Sequence, residues 1–133
     1  MLVSLRDIHA ARARIAPYVV RTPLHPLPGG PLLKLESLQV TGSFKARGAF
    51  NHVLALPEQC QGGVVTASSG NHGKAVAYVA MTLGLRAVVV VPEDVVSAKA
   101  QAITAFGERN ASPMRRSWRN GAGCIMCRHS TIH

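Results

Sequence analysis

At 133 residues, 47% hydrophobic and 5% aromatic, the chain has globular composition and length for one domain with a core. Its aliphatic run Ala87-Val88-Val89-Val90-Val91 is far too short to span a bilayer. Three cysteines do not suggest a disulfide scaffold, and the first residues carry no apolar signal core, so a cytoplasmic location is expected. The net charge of +9 is uneven: residues 107–133 supply +4 of it, which reads as a solvated basic tail and not as a nucleic-acid footprint, since no nucleic-acid module is recognisable.

In chain order, Leu5, Ile8, Ala11 and Ile15 recur at helical spacing behind Ser4, which predicts an N-capped amphipathic helix over 4–16. Pro17, Pro23, Pro26 and Pro28 keep the next stretch extended and Gly29-Gly30 turns it. Residues 31–36 then alternate as a strand, with Lys34 and Glu36 on one face. From Gly42 onward the pattern is regular. A helix runs to about 56, a strand spans 63–67, a helix 71–83, a strand 86–91 and a helix 97–106. Strands alternating with helices over short connections predict an α/β fold with a parallel sheet, and ligands of such sheets sit beyond the carboxyl ends of the strands, where residues 68–73 fall.

Two glycine-punctuated segments carry the chemistry. Thr41-Gly42-Ser43-Phe44-Lys45-Ala46-Arg47-Gly48 sets a lysine beside an aromatic ring at the mouth of a helix, where positive potential favours the neutral amine that can attack an aldehyde. Ser68-Ser69-Gly70-Asn71-His72-Gly73 follows an apolar strand and opens a helix. Its backbone N–H groups and side-chain donors suit a small carboxylate or phosphate. A surface lysine at a helix start and a glycine-rich N-cap would explain either segment alone; the pair together points to a site.

These two segments, preceded by Lys34-Leu35-Glu36-Ser37-Leu38-Gln39 and by Arg21-Thr22-Pro23-Leu24, resemble the threonine/serine dehydratase group of fold-type II pyridoxal-phosphate enzymes, which includes serine racemase. The resemblance covers about residues 5–106. It implies the tryptophan synthase beta-like parallel-sheet fold, here incomplete, and pyridoxal 5'-phosphate as cofactor. It makes Lys45 the lysine that holds the cofactor covalently and removes the substrate Cα proton. It further implies that Phe44 flanks the cofactor ring, that Asn71 bonds the ring's 3-hydroxyl, and that Ser68, Asn71 and His72 hold the substrate carboxylate. Ser69 falls where racemases of the group place the acid/base of the opposite face, but dehydratases often carry the same serine pair, so elimination and racemisation both stay open. The substrate implied is a small amino acid, L-threonine or L-serine, converted to a 2-oxo acid and ammonia. Full-length members are commonly homodimers.

The chain departs from the group in two respects. The glycine-rich loop for the cofactor phosphate, which belongs to a later part of such enzymes, has no counterpart in this sequence, so an inactive remnant is a further reading. The family-like portion is read as residues 1–106, and 107–133 as a non-family tail, frameshifted or disordered. A single frame shift would restore family-like strings at 108–110 and at 126–133. Cys124, Cys127, His129 and His133 could supply four soft ligands, but the pairs are nearly contiguous, with no hairpin and helix to orient them, so no metal is expected.

Overall fold

The computed structural model describes residues 3–92, 96–106 and 122–127. Helix α1 (Leu5–Ile15) starts with a capping box: Ser4 Oγ accepts the Asp7 N–H at 3.2 Å, and Asp7 Oδ2 accepts the Ser4 N–H at 2.9 Å. Hydrogen bonds from Ser4 also hold the Asp7 carboxyl below its ordinary value. The predicted amphipathic face is buried only at its end. Ile15 is 8% exposed and joins the core, whereas Leu5 and Ile8 stay 74% and 54% exposed. Ile8, Ala11 and Ile15 instead wall an open groove of about 570 Å3, floored by Val19 and Val20 and rimmed by Arg12, Arg21, Lys34 and Arg47.

Strands β1 (Leu24–Pro26) and β2 (Leu32–Lys34) form an antiparallel hairpin with Leu24 opposite Lys34. Gly29 closes its turn in the left-handed region, φ 66°, and the Gly30 N–H reaches Leu27 O at 3.0 Å. The strand expected over 31–36 ends early, and Glu36–Leu38 form a 3-10 turn. Hydrogen bonding accounts for the break: Glu36 is drawn away to accept from three donors. Its Oε1 takes the Thr22 hydroxyl at 2.6 Å and Arg47 Nη2 at 2.8 Å, and its Oε2 takes Arg47 Nε at 2.9 Å. Lys34 and Glu36 still converge on one place, because Lys34 Nζ donates to the Thr22 carbonyl. Gln39, 4% exposed, completes the junction with two bonds of 2.9 Å to the backbone of Val20.

Helix α2 (Lys45–Ala55) and the short α3 (Pro57–Cys60) lead to β3 (Val64–Ala67). Helix α4 (Asn71–Leu83), β4 (Ala87–Pro92) and α5 (Ser97–Thr104) follow, close to the predicted bounds. Strands β3 and β4 pair in parallel, Val64 opposite Ala87, as the alternation required. Helix α4 is the centre of the packing. Ala75 and Val79 face a core with Ala46, Ala49, Phe50 and Val53 of α2, while Ala77 and Ala80 face a second core with Ala87, Val89 and Val91 of β4 and Ile103 of α5. Aromatic rings run through both: Tyr18 stacks on Phe50 at 4.9 Å, Phe50 meets Tyr78 edge-on at 6.0 Å, and Tyr78 meets Phe106 at 5.1 Å.

Beyond the expected sequence of elements, Ala122–Cys127 form β5, antiparallel to β4 with Ala87 opposite Cys127. The sheet order is β3-β4-β5, so it is parallel on one side of β4 and antiparallel on the other. The sequence pattern predicts no strand within 107–133; the open edge of β4 offers a row of backbone donors and acceptors that six residues can satisfy whatever their apolar periodicity. The readings placed on 108–110 and on His129 and His133 lie outside the described residues. Among the described residues no helix is long and apolar enough to cross a membrane, and no three metal-ligating side chains cluster.

The ion pair and the glycine turn are each testable by substitution. The hydrogen bonds from Arg47, with smaller help from Thr22 and from the charges of Arg47 and Lys34, pull Glu36 from 4.5 to about 2 against the opposing effect of burial. A depressed carboxyl stabilises the fold fully above its unfolded value and loses that contribution as pH falls through its folded value. Glu36→Gln should therefore lower stability by about 2 kcal/mol at neutral pH. In urea titrations its midpoint should approach that of wild type as pH falls from 4.5 toward about 2; a gap independent of pH would refute the assignment. Separately, a Cβ at Gly73 would lie 2.4 Å from Ser68 O and 3.0 Å from Val89 Cγ1, whereas one at Gly70 meets nothing within 4 Å. Gly73→Ala should cost roughly 1–3 kcal/mol, and Gly70→Ala within about 0.5 kcal/mol, by the same titration.

Candidate active site

The lysine loop is built by backbone geometry. Gly42 turns it at φ 72°, with its N–H on Gln39 O at 2.7 Å, and α2 begins at once with Lys45 as its first residue. Phe44 occupies the N-cap position, where it caps nothing with its side chain, so the first N–H groups of α2 are not taken up by a capping side chain. Its ring is 58% exposed. Lys45 is half-buried, and its Nζ lies 5.1 Å from the centroid of the Phe44 ring. The lysine and aromatic thus form one unit at an open helix start, as the sequence pattern required.

The second loop continues directly from the sheet. Ser68 N–H reaches Val90 O at 2.9 Å, extending the parallel ladder one residue past β3, and the chain then turns into α4. The Ser68 hydroxyl accepts the Gly70 N–H at 3.3 Å, which tightens the turn. Gly70 is the N-cap and makes no side-chain bond, so α4 also presents an N-terminus without a side-chain cap. Ser68 and Ser69 are half-buried, while Asn71 and His72 are exposed in the first turn. Ser68 therefore has a structural duty in addition to the substrate contact expected of it.

Packing of α2 on α4 sets the two loops side by side. Lys74, one turn into α4 and on the face of Asn71, shows how near they come: its Nζ lies 3.9 Å from where a Cβ of Gly42 would stand, and 5.8 Å over the Phe106 ring. Lys74 is not among the residues that the sequence pattern singles out. Its three-residue spacing from Asn71 is the signal that could have found it. The loop also holds two buried hydroxyls without a partner, Thr41 Oγ1 and Ser43 Oγ, on either side of Gly42. Sequence reasoning likewise assigns no role to Gln39 or Glu36, whose bonds to Val20 and Arg47 hold this loop in place.

As chemistry, the arrangement offers a primary amine, an exposed aromatic face beside it, an amide donor at Asn71, and two helix starts that favour negative charge. That donor set fits the aldehyde and ring of an anionic aromatic aldehyde such as pyridoxal phosphate. The site would receive the ring against Phe44 and the aldehyde at Lys45.

Comparison with known proteins agrees with this geometry. The family model for pyridoxal-phosphate dependent enzymes matches residues 15–116. The catabolic L-threonine dehydratase of Staphylococcus aureus is 44% identical over 117 residues, covering 81% of this chain and 34% of that protein. Among solved structures, maize serine racemase superposes with a TM-score of 0.75 at 39% identity, covering 80% of this chain and 35% of that one. The serine racemase of Dictyostelium discoideum does so at 0.72 and 44%, covering 79% and 37%, and a bacterial-type threonine deaminase at 0.71 and 49%, covering 79% and 35%. The chain spans about a third of the length of these relatives. With its parallel β3-α4-β4 unit, its lysine loop and its matched residues, the chain belongs to the family of pyridoxal-phosphate-dependent enzymes and has the fold of its type II members.

Proposed function

We propose that this chain carries the lysine-bearing part of a site for the pyridoxal-phosphate-dependent removal of water and ammonia from L-threonine or L-serine. The observation that carries the reading is the juxtaposition of Lys45, beside the exposed Phe44 ring, with the 68–73 loop through the packing of α2 on α4. When bound, the cofactor supplies an electron sink for the carbanion formed at the substrate Cα. The chain's residues supply the rest. Phe44 covers one face of the ring and excludes water from it, and Asn71 orients the ring by its amide. Ser68, Asn71 and His72, with the open start of α4, hold the substrate carboxylate. Lys45 holds the cofactor and takes the proton from the substrate Cα, and Ser69 handles the proton on the opposite face. Loss of the 3-hydroxyl as water leaves an enamine, which hydrolyses to the 2-oxo acid and ammonia.

Racemisation is the second reading, favoured by the likeness to maize serine racemase and by Ser69 standing beside Ser68 at the turn. A third reading, an inactive remnant, rests on the lack of a phosphate loop in the sequence. We take residues 1–106 as the family portion and 107–133 as a segment outside the family pattern, a division supported by the antiparallel pairing of β5 beside a parallel pair. The partner is a small amino acid, with cytoplasmic location, a homodimer for the full-length form and no nucleic acid.

Mixing the purified chain with pyridoxal phosphate should give a visible band that borohydride fixes and that Lys45→Ala abolishes. Assays with L-threonine and L-serine would then separate 2-oxo acid from D-amino acid. A band indifferent to Lys45→Ala, or none, would leave the two motifs as marks of ancestry alone.

A further inference from the structure

Residues 39 and 47 bracket the lysine loop, and both end on one atom. The carbonyl oxygen of Val20 accepts from Gln39 Nε2 at 2.9 Å and from Arg47 Nη2 at 3.0 Å. A carbonyl has two lone pairs, and here each has its own donor. Around this point the bonding is dense. Gln39 Oε1 accepts the N–H groups of Val20 at 2.9 Å and of Val40 at 3.0 Å, and Arg47 grips Glu36 through Nε at 2.9 Å and Nη2 at 2.8 Å. Between the pinned ends the loop is conformationally costly. It contains Gly42 at φ 72° and two buried hydroxyls, Thr41 Oγ1 and Ser43 Oγ, with no partner. Such a conformation persists only where its surroundings over-determine it.

Arg47 is two residues beyond Lys45 in α2, hence roughly 200° around the helix axis. It anchors the face of the helix opposite to the one that carries the amine. We propose that Gln39 and Arg47 are positioning residues which, by closing on the Val20 carbonyl from both ends of the loop, fix the direction in which the Lys45 amine leaves the start of α2. Neither need touch the reacting atoms. Their effect comes from geometry: a reacting group displaced by about 1 Å can lose on the order of a hundredfold in rate. The fork of an arginine is needed at 47, because Glu36 and Val20 are gripped together by one planar group, and a lysine offers a single charged point.

This inference rests on reading Lys45 as the reactive amine, and the experiment separates the two. The full chain is treated with pyridoxal phosphate, reduced with borohydride and digested. Mass spectrometry then gives the adduct at Lys45 relative to Lys99, which lies exposed on α5. The ratio at Lys74 serves as an internal control. Wild type should favour Lys45. Arg47→Met and Gln39→Leu should each lower the Lys45:Lys99 ratio by about tenfold, leave Lys74:Lys99 unchanged and keep the helical circular dichroism. Arg47→Lys should fall between wild type and Arg47→Met. No preference for Lys45 in wild type would overturn the functional reading itself. A wild-type preference that survives in the variants, or one lost together with a shift at Lys74, would overturn the positioning role alone. If Arg47→Met loses its helical signal, Arg47→Lys decides: a ratio equal to that of wild type refutes the proposal and a lower one supports it.

Discussion

The fork of Arg47 is the interaction on which the rest of the structure depends, because it joins three segments that no long ladder of backbone bonds connects. The β1-β2 hairpin pairs only three residues on each strand, and the stretch around Val20 belongs to neither strand. Removing Glu36 and Arg47 from water is costly and their attraction alone does not guarantee a net gain. Here the cost is offset because the pair is bidentate and Glu36 also takes the Thr22 hydroxyl, while Arg47 also reaches Val20 O. Lys34 closes the same junction from the hairpin side. The groove beside α1 remains open, so the N-terminal arm is held to α2 more by directed polar contacts than by apolar burial along α1.

The other half of the site depends on the absence of bulk. Helix α4 is lined with alanine where it meets α2 and β4, which lets one helix serve two cores. Gly73 takes this furthest, since the Ser68 carbonyl lies where its Cβ would be. The loop that turns from β3 into α4 is thereby pressed onto the helix it begins. Its donors stay at the carboxyl edge of the sheet and do not swing with solvent. Close packing of α2 on α4 then brings the lysine loop within reach of Lys74, so the site's two halves are placed by the same alanines that fill the core.

Much of this is legible in the sequence because it depends on short-range periodicity. The bounds of α4, the parallel pairing of β3 with β4 and the capping box at Ser4 all follow from patterns within a few residues. What is not legible depends on contacts distant along the chain. Nothing near Gln39 marks it as a buried residue that mimics a strand partner for Val20, and nothing near Glu36 says that Arg47 will end its strand early. The apolar stripe of α1 is amphipathic as its spacing predicts, yet periodicity cannot say which element covers it. Strand β5 escapes because its partner is the open edge of β4, a backbone feature with no signature in side-chain pattern.

The position of the site can also be argued without any relative, from where local rules are broken. Of the five aromatic residues among those described, four form the ladder from Tyr18 to Phe106, and Phe44 alone stands 58% exposed. Across residues 41–45 the exceptions accumulate: a left-handed turn at Gly42, two buried hydroxyls with no partner, an N-cap that caps nothing, and a cation resting against an exposed ring. Each is unfavourable by itself, and packing gives no reason for any of them. They are confined to one loop, flanked by the most densely hydrogen-bonded junction of the described residues, where Gln39, Arg47 and Glu36 meet Val20 and Thr22. A fold that concentrates its exceptions in one loop and its strongest restraints on both sides of it is holding that loop for chemistry, not for stability. That physical pattern selects Lys45 from the four lysines of the chain before any comparison is made.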